Sequence, residues 1–379
     1  MVTTDRPSPL MADCGGLIET IALSLPAAWF ADAGMGFTVS PLVPIGNLLL
    51  TLPRDVTVSL LVDRPCLPAA RCWLDRLAVT CQVDLVTLDE PATVPHPWIQ
   101  DMFHVRLRTD ALTPELVSSS ESAISHALAA RFGFATVISD VILPGGNQLV
   151  GPDYRLVGHA SLRGGAESAR SAPATLSRRW LRIEALDPRA VFSFGYRPED
   201  LGETVQPDLS QTGSGPAMAA RNIHQCGFHV DQFVSITGLR RDGRPLLLVA
   251  DPEARDMRYP RAAEELKRKL DASALSLARQ GFAILRNPVP VLPTIDTNKC
   301  LPRLYNNVLL ENVTRNGETQ PLVWVPHFGD LELLADFDAE NRRIWESLGF
   351  RSIGVSGFSH LASRNGALRC ATKVIMRGL

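Results

Sequence analysis

Apolar and polar positions alternate along this chain in short blocks whose period switches between two and about 3.6. Thr57-Val-Ser-Leu-Leu-Val62 is apolar and β-branched, and Asp63-Arg64-Pro65 closes it, so it predicts a strand. From Pro68 to Ala78 the residues Trp73, Leu74 and Leu77 share one helical face. Val83–Leu88 predicts the next strand, and a Pro-rich loop from Pro91 to Pro97 leads into Trp98. The pattern then recurs. Ser118 and Glu121 have capping-box spacing ahead of a helix over Ser122–Arg131, which Gly133 ends. Ala135–Ile142 reads as a strand running into Pro144-Gly145-Gly146.

Further on, Val230–Thr237 and Pro245–Ala250 flank Asp242-Gly243, a hairpin signal. Arg261–Gly281 is helical and charged on one side. Leu322–Val325 predicts a strand, Asp338 caps a helix over Ala339–Leu348, and a strand follows near Ser352–Val355. These are short α/β units at spacings too irregular for a solenoid. The stretch 164–211, rich in Ser, Pro, Gly and Arg, reads as a long loop or surface insertion. Gly213-Ser214-Gly215 lacks a preceding strand and has Pro216 where a helix would begin, so it forms no dinucleotide fingerprint.

Composition narrows the class. The chain has 379 residues, 45% hydrophobic and 21% charged, as in ordinary globular proteins. That length fits two or three domains, or one large repeat-built α/β domain. Lys+Arg is 38 against Asp+Glu 40, so there is no cationic excess for binding nucleic acid. Cys14, Cys66, Cys72, Cys81, Cys226, Cys300 and Cys370 make an odd set without a CxxC pair, which argues against a disulfide framework and a zinc cluster. The segment Leu17–Phe30 contains Glu19 and Pro26 and lacks a basic lead, so it is a poor signal peptide. No apolar run is long enough to span a membrane. The expected setting is the cytoplasm.

Three segments carry candidate chemistry. In a strand His229 and Asp231 would share a face; the same pattern fits a half-exposed strand whose polar side meets water. Trp98-Ile-Gln-Asp101 puts a carboxylate beside an indole, which suits a flat cation, or else a loop Asp capping a turn. Cys370 follows Gly366-Ala-Leu-Arg369, where a cationic neighbour could favour a thiolate; a structural buried thiol is the plainer alternative.

Together, in order, Trp98-Ile-Gln-Asp101, Gly145-Gly-Asn147, His229-Val-Asp231 and Gly366-Ala-Leu-Arg-Cys370-Ala-Thr372 resemble the guanidine-modifying (pentein) superfamily, and most of all the catalytic domain of protein-arginine deiminases. Weaker matches are Arg244–Pro252, Tyr305–Leu309 and Glu346–Phe350, and the resemblance spans Thr57 to Leu379. It implies an α/β fold, a fivefold pseudo-symmetric propeller of ββαβ-type units. Residues 1–379 would form a single catalytic domain, with 1–50 a lead-in. Cys370 would be the nucleophile and His229 the general acid/base, with Asp101 and Asp231 holding the guanidinium. Trp98, Asn147 and Arg369 would contact the substrate. The implied reaction is hydrolysis of an arginine-like guanidinium to a ureido product and ammonia, with no metal or organic cofactor.

Three departures matter. Met102, Phe103 and His104 follow Asp101 where animal protein-arginine deiminases carry calcium-binding acids, so activity without calcium is expected. Arg369 stands where relatives commonly have His, and Asn147 stands where free-arginine deiminases have an acid. An amidinotransferase would use the same Cys/His/Asp set. A partner-binding pentein would not need that set. The expected partner is therefore a guanidinium substrate, without nucleic acid or membrane, and the sequence fixes no oligomeric state.

Overall fold

The computed structural model describes residues 8–31, 40–108, 113–159, 161, 173–195, 229–253, 260–293 and 300–378. The Gly213-Ser214-Gly215 segment and His224 lie outside the described residues. Within them, the blocks read from the sequence become strand, helix, strand in space. β1 (Leu17–Leu25), β2 (Thr57–Asp63) and β3 (Gln82–Leu88) run parallel, joined across α1 (Leu42–Thr51) and α2 (Leu67–Leu74). β4 (His104–Arg106) pairs antiparallel with β5 (Glu115–Ser118), and α3 (Ala123–Phe132) crosses to the parallel β6 (Ala135–Ile138).

The same plan returns in the rest of the chain. β7 (Gln148–Val150) and β8 (Tyr154–Gly158) are antiparallel, followed by α4 (Pro173–Ala185) and the parallel β9 (Ala190–Phe194). β10 (Val234–Arg241) and β11 (Arg244–Glu253) lead through α5 (Pro260–Arg279) to β12 (Ala283–Pro293), with β13 (Cys300–Pro302) antiparallel on its edge. β14 (Leu309–Leu310), β15 (Leu322–Pro326), α6 (Ala335–Ser347) and β16 (Arg351–Val355) repeat it again. Finally β17 (Thr372–Gly378) lies antiparallel to β1, pairing Leu23 with Thr372. The first sheet thus acquires the antiparallel partner that each other sheet takes from its own segment. Residues 1–50, whose role the sequence leaves open, contribute both β1 and α1.

Local rules explain most elements. Asp242 and Gly243 both have positive φ, 52° and 74°, as a two-residue hairpin turn between right-twisted strands requires. Gly133 closes α3 at φ 71°, a left-handed cap. Along α5, Ala263, Leu266, Leu270, Ala274 and Leu277 are buried at helical spacing, and the helix lies on β11 and β12. Among the described residues no helix is long and apolar enough to cross a membrane.

Four expectations change. α3 is capped by Ser122, whose hydroxyl accepts from Ser125 N–H; Ser118 ends β5 and its hydroxyl turns to Ser120 O. Asp338 lies inside α6 rather than before it. Its carboxylate accepts from Phe328 N–H, Gly329 N–H and Tyr305 O–H, so it organises a neighbouring loop. His229 and Asp231 do not share a strand, because β10 begins only at Val234 and the two residues form a tight turn ahead of it. The stretch 164–211 includes α4 and β9, so that part is not a loop. Arg155, fully buried on β8, donates to the carbonyls of Ile183, Glu184 and Asp187 at the C-terminal end of α4, where Ile183 and Leu186 are buried in a core cluster. A guanidinium reached from another strand thus adds to the apolar anchor.

Candidate active site

Chemistry-bearing residues collect where the chain enters the first strand of each sheet. Ile99–Asp101 precedes β4, Gly145–Asn147 precedes β7, Val230–Gln232 precedes β10, Asn306-Asn307 precedes β14, and Arg369-Cys370 precedes β17. The first three are single 3₁₀ turns; Gly145–Asn147 packs on the other two, and Ile99–Asp101 packs on β17 as well. Their approach requires residues without side chains. A Cβ at Gly145 would collide with Gln100 O, and one at Gly366 would collide with the Trp98 ring.

Gly146 marks the centre. A methyl group there would lie 2.7 Å from His229 Nδ1, 3.0 Å from Asp101 Oδ1 and 3.2 Å from Asp231 Oδ1. Its N–H donates to Asp101 Oδ1 at 2.7 Å, and Asp101 Oδ2 is 3.8 Å from His229 Nδ1. His229 sits at φ 54° and ψ 75°, left-handed backbone that costs a non-glycine residue about 1–2 kcal/mol and turns its ring into this group. Gly146→Ala is therefore expected to cut turnover by about 10²-fold or more, by displacing the three side chains. A variant with parental kcat/KM would show that this space is not used.

Cys370 is buried at the turn into β17, and its Sγ lies 3.5 Å from Asp231 Oδ2. Asn307 grips it twice: its Nδ2 donates to the sulfur at 3.2 Å, and its Oδ1 accepts the Cys370 N–H at 2.9 Å. The same Nδ2 also reaches Asp231 O at 3.2 Å. Burial, then the Asp231 and Asp101 charges, push the thiol well above its usual pKa. Burial likewise raises Asp231, reinforced by Asp101 and opposed by Arg369 and His229. Asp231 Oδ1 is buried without a hydrogen-bond donor among the described residues.

Arg369 stands behind Asp231. Nη1 donates to Asp231 Oδ2 at 2.8 Å and Gly145 O at 3.3 Å; Nη2 donates to Asp13 Oδ1 at 2.7 Å and Gln148 O at 3.1 Å. With its amide turned to satisfy both ends, Gln100 also accepts from Nη2 at 2.8 Å. Burial alone would weaken the charge on Arg369, but Asp13 and Asp231 outweigh it and raise its pKa. Burial would raise Asp13, but Arg369 and Lys373 reverse that and hold it below the usual carboxylate value.

Trp98 is half-buried and packs over Gly366. Asn147 is fully buried, with its Nδ2 donating to Ser161 Oγ at 2.6 Å and Gly158 O at 3.4 Å. The sequence reading missed Asp13 and Asn307 as site residues. Asp13 has no motif around it, whereas Asn307 was detectable as the residue heading a fifth strand entry. Among the described residues no three His, Cys, Asp or Glu side chains group as metal ligands.

His104 follows the Asp101 turn, and its Nε2 donates to Leu143 O at 2.9 Å. Burial, then Lys373, push its pKa down to about 3. The unfolded chain takes up this proton near pH 6.5 while the folded protein does so only near its lowered value. The folded state is therefore fully favoured above pH 6.5 and loses up to about 1.4 kcal/mol per unit as pH falls below it. His104→Gln is expected to lose less stability than the parent between pH 7 and pH 5 in urea unfolding. Equal losses would contradict this.

No protein-family model matches the sequence, and no curated protein matches it. Solved structures do. The chain is similar to C. jejuni agmatine deiminase, with a TM-score of 0.62 at 15% identity over 98% of this chain and 96% of that one. It is similar also to the agmatine deiminase of Enterococcus faecalis, with a TM-score of 0.57 at 12% identity over 97% and 95%. The chain thus shares its overall fold with these two agmatine deiminases.

Proposed function

We propose that this chain is a deiminase-type hydrolase that converts the guanidinium of an arginine-like or agmatine-like substrate into a ureido group and ammonia. The observation that carries the proposal is the meeting of Asp231, Asp101 and His229 around Gly146, with Cys370 Sγ 3.5 Å from Asp231 Oδ2. The repeated sheet plan supports a single fivefold pseudo-symmetric α/β propeller of ββαβ-type units, one of them completed by β17.

A guanidinium carbon is a weak electrophile because its charge is spread over three nitrogens. Asp231 Oδ1, which lacks a partner among the described residues, and Asp101 accept its N–H groups and orient the carbon. The arriving cation offsets the Asp231 and Asp101 charges that, with burial, hold the thiol protonated, so the thiol gives up its proton to His229 as substrate binds. The sulfur forms a C–S bond at the guanidinium carbon. A C–N bond then breaks, and His229 supplies the proton with which ammonia leaves. Water, deprotonated by His229, adds to the thiouronium carbon; the C–S bond breaks, and thiol and ureido product separate. Asn307 holds the sulfur in line throughout. Arg369, engaged on both Nη atoms, holds Asp231 in place rather than touching the substrate.

Agmatine, arginine, small guanidines and arginyl peptides form the test panel. Agmatine leads because of the structural likeness, and arginyl peptides follow because of the motifs. One ureido product and one ammonia per turnover are expected, unchanged by a calcium chelator or an added amine. Transfer of the amidino group to the amine would replace hydrolysis by transfer. Inactivity on every guanidine would remove the proposal.

A further inference from the structure

Beside this cluster lies a cavity of about 30 Å³ that Cys370, His229 and Asp101 do not line. Space of that size holds one small ion or about two waters. Its walls include Asp13, His104, Gln148, Arg369, Lys373 and Arg377.

Two buried N–H groups on those walls are left without acceptors among the described residues. Gln148 Nε2 is buried without an acceptor among the described residues. Its orientation is fixed, because Gln148 Oε1 accepts from Arg155 Nη1 at 3.0 Å and a guanidinium can only donate. Arg377 Nε is buried without an acceptor as well, although Nη1 and Nη2 reach the carbonyls of Leu310 and Asp13. Lys373 is 8% exposed and has no carboxylate or carbonyl partner among the described residues, only the Phe103 ring at 5.8 Å.

Charge points the same way. Three cations, Arg369, Lys373 and Arg377, face one carboxylate on the wall, Asp13. Both Asp13 oxygens are taken, Oδ1 by Arg369 and Oδ2 by Val150 N–H. His104, kept neutral, adds no charge of either sign. Asp231 already shares Arg369, and Glu311 is paired with Arg315. Buried N–H groups without acceptors are costly, and a water beside the Lys373 ammonium could accept from only two of the three donors and would bring no charge.

We infer that this cavity binds a small monovalent inorganic anion of the chloride type, held by Lys373 Nζ, Gln148 Nε2 and Arg377 Nε. Burial lowers Lys373 to a pKa of about 8, and an anion beside it restores the charged form. The site is independent of the proposed reaction and stands whether or not Cys370 reacts.

Bromide provides the direct test. Crystals of the full chain soaked in sodium bromide should give an anomalous peak in the cavity, in contact with Lys373 and Gln148. Bromide confined to the surface would overturn the inference. In solution, the melting midpoint should be higher by about 2 °C, saturably, in sodium chloride than in sodium gluconate of equal ionic strength. Gln148→Glu puts a fixed negative charge in the cavity while keeping the acceptor for Arg155. That variant should fold, lose the chloride-dependent rise and show no bromide peak. An unchanged halide response in Gln148→Glu would place the effect elsewhere.

Discussion

Cys370→Ala is expected to lower turnover by about 10⁴-fold or more while leaving the protein folded. Without sulfur there is no covalent route, and direct attack of water on a delocalised guanidinium is slow. The structural cost is modest, because alanine fits the buried turn and the Asn307 carbonyl still accepts the backbone N–H of residue 370. Asn307 Nδ2 keeps Asp231 O as an acceptor. About 1 kcal/mol of stability should be lost. Urea unfolding and ureido-product formation measured on the same preparation separate the two effects. Parental turnover in this variant would exclude the thiol as nucleophile.

Arg369→Met is expected to be the most damaging substitution for stability, by about 3–5 kcal/mol. It leaves Asp13 and Asp231 buried without their shared cation, and deprives Gly145 O and Gln148 O of a donor. Arg369→Lys should recover only part of the loss, since one ammonium cannot span two carboxylates as the planar fork does. The pH dependence gives a second readout. Asp13 is held below its usual pKa, so its stabilising contribution is present above the unfolded value and lost as pH falls through the lowered folded one. Removing Arg369 raises the folded value, and acid unfolding should begin at higher pH. A variant within 1 kcal/mol of the parent at pH 7 would mean that the pair is solvated rather than buried.

The sequence made the recurrent strand–helix–strand blocks legible because each is local. Asp242-Gly243, Gly133 and the apolar stripe of α5 announce themselves within a few residues. Four candidate site residues stood in ordered motifs, although the backbone that presents two of them was misread. His229 and Asp231 look like alternate positions of a strand, whereas a left-handed residue and a tight turn bring them in. Part of what holds α4 is Arg155, 18 residues before its first turn and invisible to periodicity. Asp13 was hidden for a similar reason: its partner Arg369 is 356 residues away, and neither carries a pattern that points to the other.

That separation has a consequence for a chain still being synthesised. Asp13 is made more than three hundred residues before the arginine that balances it. Until β17 is laid beside β1, the two acids behind the site have no cation and the thiol has no setting. The ion pairs behind the site therefore form only when β17 docks on β1, and their formation reports that docking.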